Sequence, residues 1–192
     1  MTSWQAGPAP SRVGHGPRGH GRFPGAEEQC RLAIARNPRQ SLAYVSLIEL
    51  QLRLGKRAEA AKVLKQAQDA GVEGADLYVL RGKLAASRGD FAEAVRAFEQ
   101  AAREQPEDPT LPQLSLGLAY VQMGRPDDAR VPLAAVLARD PRNAVALRML
   151  GDIAYDNHDV RAARDYYGRF LAAAPLDGEA ARVRERVKSL LR

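Results

Sequence analysis

The chain has a single cysteine, few aromatic residues and no long apolar run, and each scarcity removes a class of protein. Cys30 alone allows no intramolecular disulfide and no thiolate-based zinc site. Aromatics make up 6% of the residues, too few for the bulky interior of a sandwich or barrel, whereas alanine is abundant and favours closely packed helices. No segment approaches the roughly 18 apolar residues of a membrane span. Residues 1–25 also lack the continuous apolar stretch of a secretory signal.

One sign of charge is in excess only at the ends. The net charge is +6, but Arg12, Arg18 and Arg22 face no acid within residues 1–25, and residues 177–192 carry five bases against three acids. The near-neutral body between them lacks the clustered Lys/Arg face of a surface that tracks phosphates, so no nucleic acid is expected as a partner.

Motifs that carry chemistry are missing as well. There is no phosphate-binding G-x-x-x-x-G-K-[ST], no G-x-G-x-x-G after a strand, no G-x-S-x-G elbow, no H-E-x-x-H and no EF-hand loop. His15, His20 and Cys30 lack a fourth ligand and any supporting shell, so they read as solvated residues. His158, beside Asp156 and Asp159, reads as a turn residue tolerant of unusual dihedrals. Asp127 and Asp128 follow Pro126 and suit the first turn of a helix. No catalytic, cofactor-binding or metal-binding residue is assigned, no cofactor is expected, and the chain is not expected to be an enzyme.

What is present is periodic. Residues 1–25 hold six glycines and four prolines and read as a flexible leader, assigned to 1–20. From Ala26 onward, alanine- and leucine-rich stretches of helical length are separated by Gly55, Gly71, Gly89 and Gly124 and by Pro38, Pro106, Pro141 and Pro175. Aligned on these breakers, units begin at Ser41, Ala75, Thr110 and Ala144, with spacings of 34, 35 and 34 residues. Each contains a first helix, a turn at Gly55, Gly89, Gly124 or His158, and a second helix carrying Ala60, Ala94, Ala129 or Ala163. The first unit departs most, with Ile48 where the others carry Gly82, Gly117 and Gly151, Gln51 where the third carries Tyr120, and Val72 at the terminal-proline position. Pro132 falls inside a second helix, where it should kink the helix, as a defect tolerated on the convex, outer side or as a local reshaping of the superhelix.

A period of this length, with Leu116-Gly117, Tyr120, Gly124, Ala129 and Pro141 in one unit and Gly82, Gly89, Ala94, Phe98, Ala101 and Pro106 in another, resembles the tetratricopeptide repeat family, in a bacterial style. Leu150-Gly151, Ala163, Tyr167 and Pro175 continue the likeness. The resemblance implies an all-α fold, a right-handed α-solenoid of antiparallel helix pairs. The expected division is a half unit at 21–40, full units at 41–74, 75–109, 110–143 and 144–177, and a capping helix at 178–192. In that last segment Ala180, Val183, Val187, Leu190 and Leu191 form the apolar face, opposite Arg182, Glu185 and Arg186.

The resemblance also implies a function, a protein-protein interaction scaffold or adaptor that binds a peptide or amphipathic helix in a concave groove, in the assembly of a bacterial complex. A self-associating structural element, a homo-oligomer, is the alternative. First helices line that groove in the family, which assigns it to Val45, Glu49, Leu52, Val79, Lys83, Leu114, Leu118, Val121, Arg148, Asp152 and Tyr155. The lysine-and-asparagine clamp of the family's chaperone-binding members is not expected, because Val45, Glu49, Leu80, Leu111 and Ser115 occupy its positions. The partner is expected to be a protein or peptide. The location is expected to be cytoplasmic as the sequence is written, and periplasmic or envelope-associated if a signal or anchor lies upstream.

Overall fold

Four turns share one unusual backbone conformation: Gly55, Gly89, Gly124 and His158 have φ of 74°, 81°, 71° and 58°. A Cβ added at any of the three glycines would meet nothing within 4 Å, so the requirement is the left-handed backbone and not space. His158 adopts it with a side chain, at a strain of about 1 kcal/mol.

The computed structural model describes residues 23–191, among which there are ten α-helices and no strand. The leader expected at 1–20, with His15 and His20, lies outside the described residues. The helices are α1 (Phe23–Arg36), α2 (Ser41–Arg53), α3 (Arg57–Asp69), α4 (Ala75–Ser87) and α5 (Phe91–Glu104), followed by α6 (Thr110–Gln122), α7 (Pro126–Arg139), α8 (Ala144–Asp156), α9 (Val160–Ala173) and α10 (Ala180–Ser189). The pairs α2–α3, α4–α5, α6–α7 and α8–α9 are hairpins, and the substantial contacts run only between neighbouring elements and units, which makes the molecule an α-solenoid. Three helices start on side-chain caps: Asp90, Asn143 and Asp159 accept from the backbone N–H of Glu93, Ala146 and Ala162.

Small residues set how closely each hairpin closes. Ala60, Ala94, Ala129 and Ala163 are fully buried at the crossing points. Gly82, Gly117 and Gly151 face Phe98, Leu133 and Tyr167. A Cβ at Gly117 would lie 2.8 Å from Leu133 Cδ2, and one at Gly151 would lie 2.5 Å from Tyr167 Cδ1. The aromatic or leucine knob therefore fills the space a methyl would need. In the α2–α3 pair Ile48 is buried at this position. Gln51 on the same helix is 1% exposed, and neither its amide oxygen nor its amide nitrogen has a hydrogen-bond partner among the described residues.

Four hydrophobic clusters run in series along the array. Pro132 corrects an expectation: it is buried, not on the outer side, and α7 runs through it as one helix. At the start of the array, α1 buries Ile34 and Glu27. The Glu27 carboxylate takes Lys56 Nζ at 2.5 Å and Arg31 Nη2 at 3.1 Å. The Lys56 hydrogen bond, helped by both positive charges, outweighs burial and holds this carboxyl below the usual range. No described residue covers the other face of α1. Ala26 is exposed and Cys30 and Ala33 are half-buried, whereas their counterparts in the next hairpin, Ala60, Leu64 and Ala67, are buried.

Candidate protein-binding groove

Each first helix shows one stripe at i, i+3, i+7 and i+10, the spacing of a single helical face. On α2 it reads Leu42, Val45, Glu49, Leu52; on α4, Asp76, Val79, Lys83, Ala86; on α6, Leu111, Leu114, Leu118, Val121; on α8, Val145, Arg148, Asp152, Tyr155.

The structure brings part of the assigned set together. Glu49, Leu52 and Lys83 line one cavity of about 450 Å3 between α2 and α4. Lys83 also lines a second, of about 290 Å3 between α4 and α6, with Leu118 and the apolar floor of Ala86, Phe98 and Ala119. The two cavities therefore meet at the Lys83 side chain. Leu118 is 49% exposed and Val121 39%. Val45 and Leu52 are half-buried and lean on the first cluster, and Leu114 leans on the third.

Val79 does not belong to this surface. It is 5% exposed and packs with Ala85, Phe98 and Leu116 in the second cluster. On α4, which is apolar on more than one side, the stripe's second position turns into the contact between units.

Arg148, Asp152 and Tyr155 are already engaged by the chain itself. Asp152 Oδ1 accepts from Tyr167 Oη (2.7 Å), Arg186 Nη1 (2.8 Å) and Arg182 Nη1 (3.1 Å). Its Oδ2 accepts from Arg148 Nη1 (3.1 Å) and Arg182 Nη2 (3.2 Å). The Arg186 guanidinium lies 4.6 Å from the Tyr155 ring centre. Ser189 Oγ donates to the Arg186 carbonyl (2.7 Å), which leaves the Tyr155 hydroxyl, 3.1 Å away, to donate to Ser189. Burial, reinforced by the acceptor Asp152, pushes the Tyr167 phenol far above its ordinary value. Arg182 and Arg186, expected on the outer side of the last helix, thus face inward, because α8 offers them a carboxylate. Glu185 remains outward, paired with Lys188.

Other acidic residues hold the scaffold. Asp127 accepts from Arg130 and from Asn157 of the next unit, and Asp128 accepts from Arg125. Arg81 was not foreseen. It stands where Leu47, Leu116 and Leu150 are buried in the other units, and reaches Glu93 (Nε–Oε1, 2.6 Å), which also takes Arg96. Burial works to raise the Glu93 carboxyl, but the two guanidiniums prevail and lower it. Among the described residues no cluster of three His, Cys, Asp or Glu is arranged for a metal, and no helix is long and apolar enough to cross a membrane.

Comparison with known proteins gives consistent matches. The chain is 32% identical over 157 residues to cellulose synthase operon protein C of Xanthomonas axonopodis pv. citri, covering 78% of this chain and 10% of that one. It is 29% identical over 109 residues to the BBSome complex member bbs-4 of Caenorhabditis elegans, covering 57% and 23%. The chain thus spans less than a quarter of the curated relatives it matches. The crystal structure of YrrB, described as a TPR protein with an unusual peptide-binding site, superposes with a TM-score of 0.70 at 20% identity, covering 85% of this chain and 84% of that one. The tetratricopeptide repeat model matches residues 18–75, 45–109 and 114–178, and the chain belongs to that family.

Proposed function

We propose that this protein is an adaptor without chemistry of its own, which holds a protein or peptide segment over α2, α4 and α6 during the assembly of a bacterial complex. A tetratricopeptide array is a protein-protein interaction scaffold, and the observation that supports this use of it is Leu118. A leucine half exposed above a cavity floored by Ala86, Phe98 and Ala119 leaves apolar surface that a partner would cover. Arg148, Asp152 and Tyr155 stand outside the proposed contact, because α10 occupies them. The relative named for a cellulose synthase operon and the YrrB peptide-binding site fit the same reading.

The face of α1 that no described residue covers favours a second reading, self-association through that end. Affinity capture from a bacterial lysate, with wild type beside Leu118→Glu, separates the two. A protein retained by wild type and lost with the variant, at unchanged helicity and melting, carries the adaptor reading. Recovery of bait alone, with concentration-dependent size in sedimentation, would replace it with self-association.

A further inference from the structure

We infer that the groove's occupant is an amphipathic helix laid along α6, with an acidic residue on the flank that faces Lys83; this deepens the adaptor reading and rests on it. The direction of the apolar surface decides the shape of the ligand. Along α6, Leu111, Leu114, Leu118 and Val121 form an unbroken apolar stripe, half exposed at Leu111 and Leu118, that extends about 15 Å at 1.5 Å per residue. Across the array the surface is broken: at the level of Leu118 the neighbouring stripes carry Glu49, Lys83 and Asp152.

An extended peptide crossing the first helices at that level would meet a charge on three of the four. It would also run into the α8 stripe, which α10 already covers. A helix parallel or antiparallel to α6 avoids both obstacles. It sets its own apolar residues at i, i+3 or i+4, and i+7 against the stripe. One large side chain from its α4-facing edge drops into the 290 Å3 cavity over Ala86 and Phe98.

The rim of that cavity names the flanking charge. Lys83 is exposed and makes no ion pair among the described residues. On its α6 side Ser87, Ser115 and Gln122 are uncharged, and on its α2 side Glu49 and Arg53, of opposite sign, line the shared cavity. An aspartate or glutamate on the partner helix, one turn from its cavity-filling residue, completes the site.

The test is a display selection of random 16-residue peptides on the full chain, with counter-selection on Leu118→Glu, followed by anisotropy and circular dichroism on the synthesised consensus peptide. The expected pool has apolar residues at i, i+3 or i+4, and i+7 with acids on one flank. Its consensus should gain helicity on binding, weaken about tenfold with Lys83→Glu, and turn to a basic preference when the selection is repeated on that variant. A wild-type-specific pool with apolar residues at i, i+2, or with internal proline, and indifferent to Lys83→Glu, overturns the helix while leaving the adaptor standing. No pool that distinguishes wild type from Leu118→Glu overturns both. A wild-type dimer in sedimentation that Lys83→Glu and Leu118→Glu each weaken would make the occupant a second copy and overturn the inference as well.

Discussion

Arg182 and Asp152 meet in a two-point contact, Nη1–Oδ1 at 3.1 Å and Nη2–Oδ2 at 3.2 Å, across 30 residues of chain. Arg148 and Arg186 converge on the same carboxylate, so it is the counter-charge that three half-buried guanidiniums share. Asp152→Ala should therefore cost more than an exposed ion pair, about 2 kcal/mol once partial exposure is discounted, and should release α10. Urea unfolding gives the loss, and hydrogen exchange should show faster amides in α10 while α2–α5 stay unchanged. Protection of α10 equal to wild type would refute the clasp.

The glycines of the first helices and those of the second make opposite predictions. At Gly151 a Cβ would lie 2.5 Å from the Tyr167 ring, so Gly151→Ala should lose about 2 kcal/mol to overpacking despite alanine's helix preference. Gly168 in α9 is exposed with nothing within 4 Å of an added Cβ, and Gly168→Ala should gain about 0.5–1 kcal/mol. Thermal melts of the two variants should move in opposite directions.

Gln51 is buried with an amide that nothing among the described residues satisfies, so Gln51→Leu should stabilise the chain by about 1–2 kcal/mol. A lower urea midpoint for the leucine variant would mean that the amide has a partner in solution.

Glu27 makes stability depend on pH. Its folded carboxyl titrates below the usual range because Lys56 and Arg31 hold the charged form. The unfolded carboxyl titrates near 4.3. The contribution is thus complete above that pH and is lost as pH falls through the lower folded value. The stability gap between wild type and Glu27→Gln should be open at pH 7 and narrow by pH 3 in denaturant titrations; a constant gap would count against the ion pair.

Much of the array was legible because its signals are local. Gly89 and Gly124 mark turns that need a left-handed residue, and Ala94, Ala129 and Gly117 mark crossings that need a small one. Those requirements act within one hairpin and repeat with it. The groove was less legible because exposure depends on how far each helix is rotated against the next unit. Val79 and Leu118 are both apolar stripe residues, yet one is buried between units and the other is half exposed. Arg182 and Arg186 read as outward by polarity alone. They turn inward because Asp152, 30 and 34 residues earlier, outcompetes water for them, and no local pattern announces that pairing. Arg81 is a like case, since only its partner Glu93 across the hairpin explains a charge at a leucine position.

The two ends of the array differ in how they are tied down, and this sets the order in which it comes apart. A chain of units joined to their neighbours melts from its weakest end. At one end Asp152 gathers three arginines and a tyrosine into a stopper; at the other end of the described residues, α1 leans on α2 with one face that no described residue covers and one carboxylate as its tether. Among the described helices, fraying therefore begins at α1 and travels toward α8. The Lys83–Leu118 surface lies in the path of that advance, so heat should remove the receptor before it loosens the clasp.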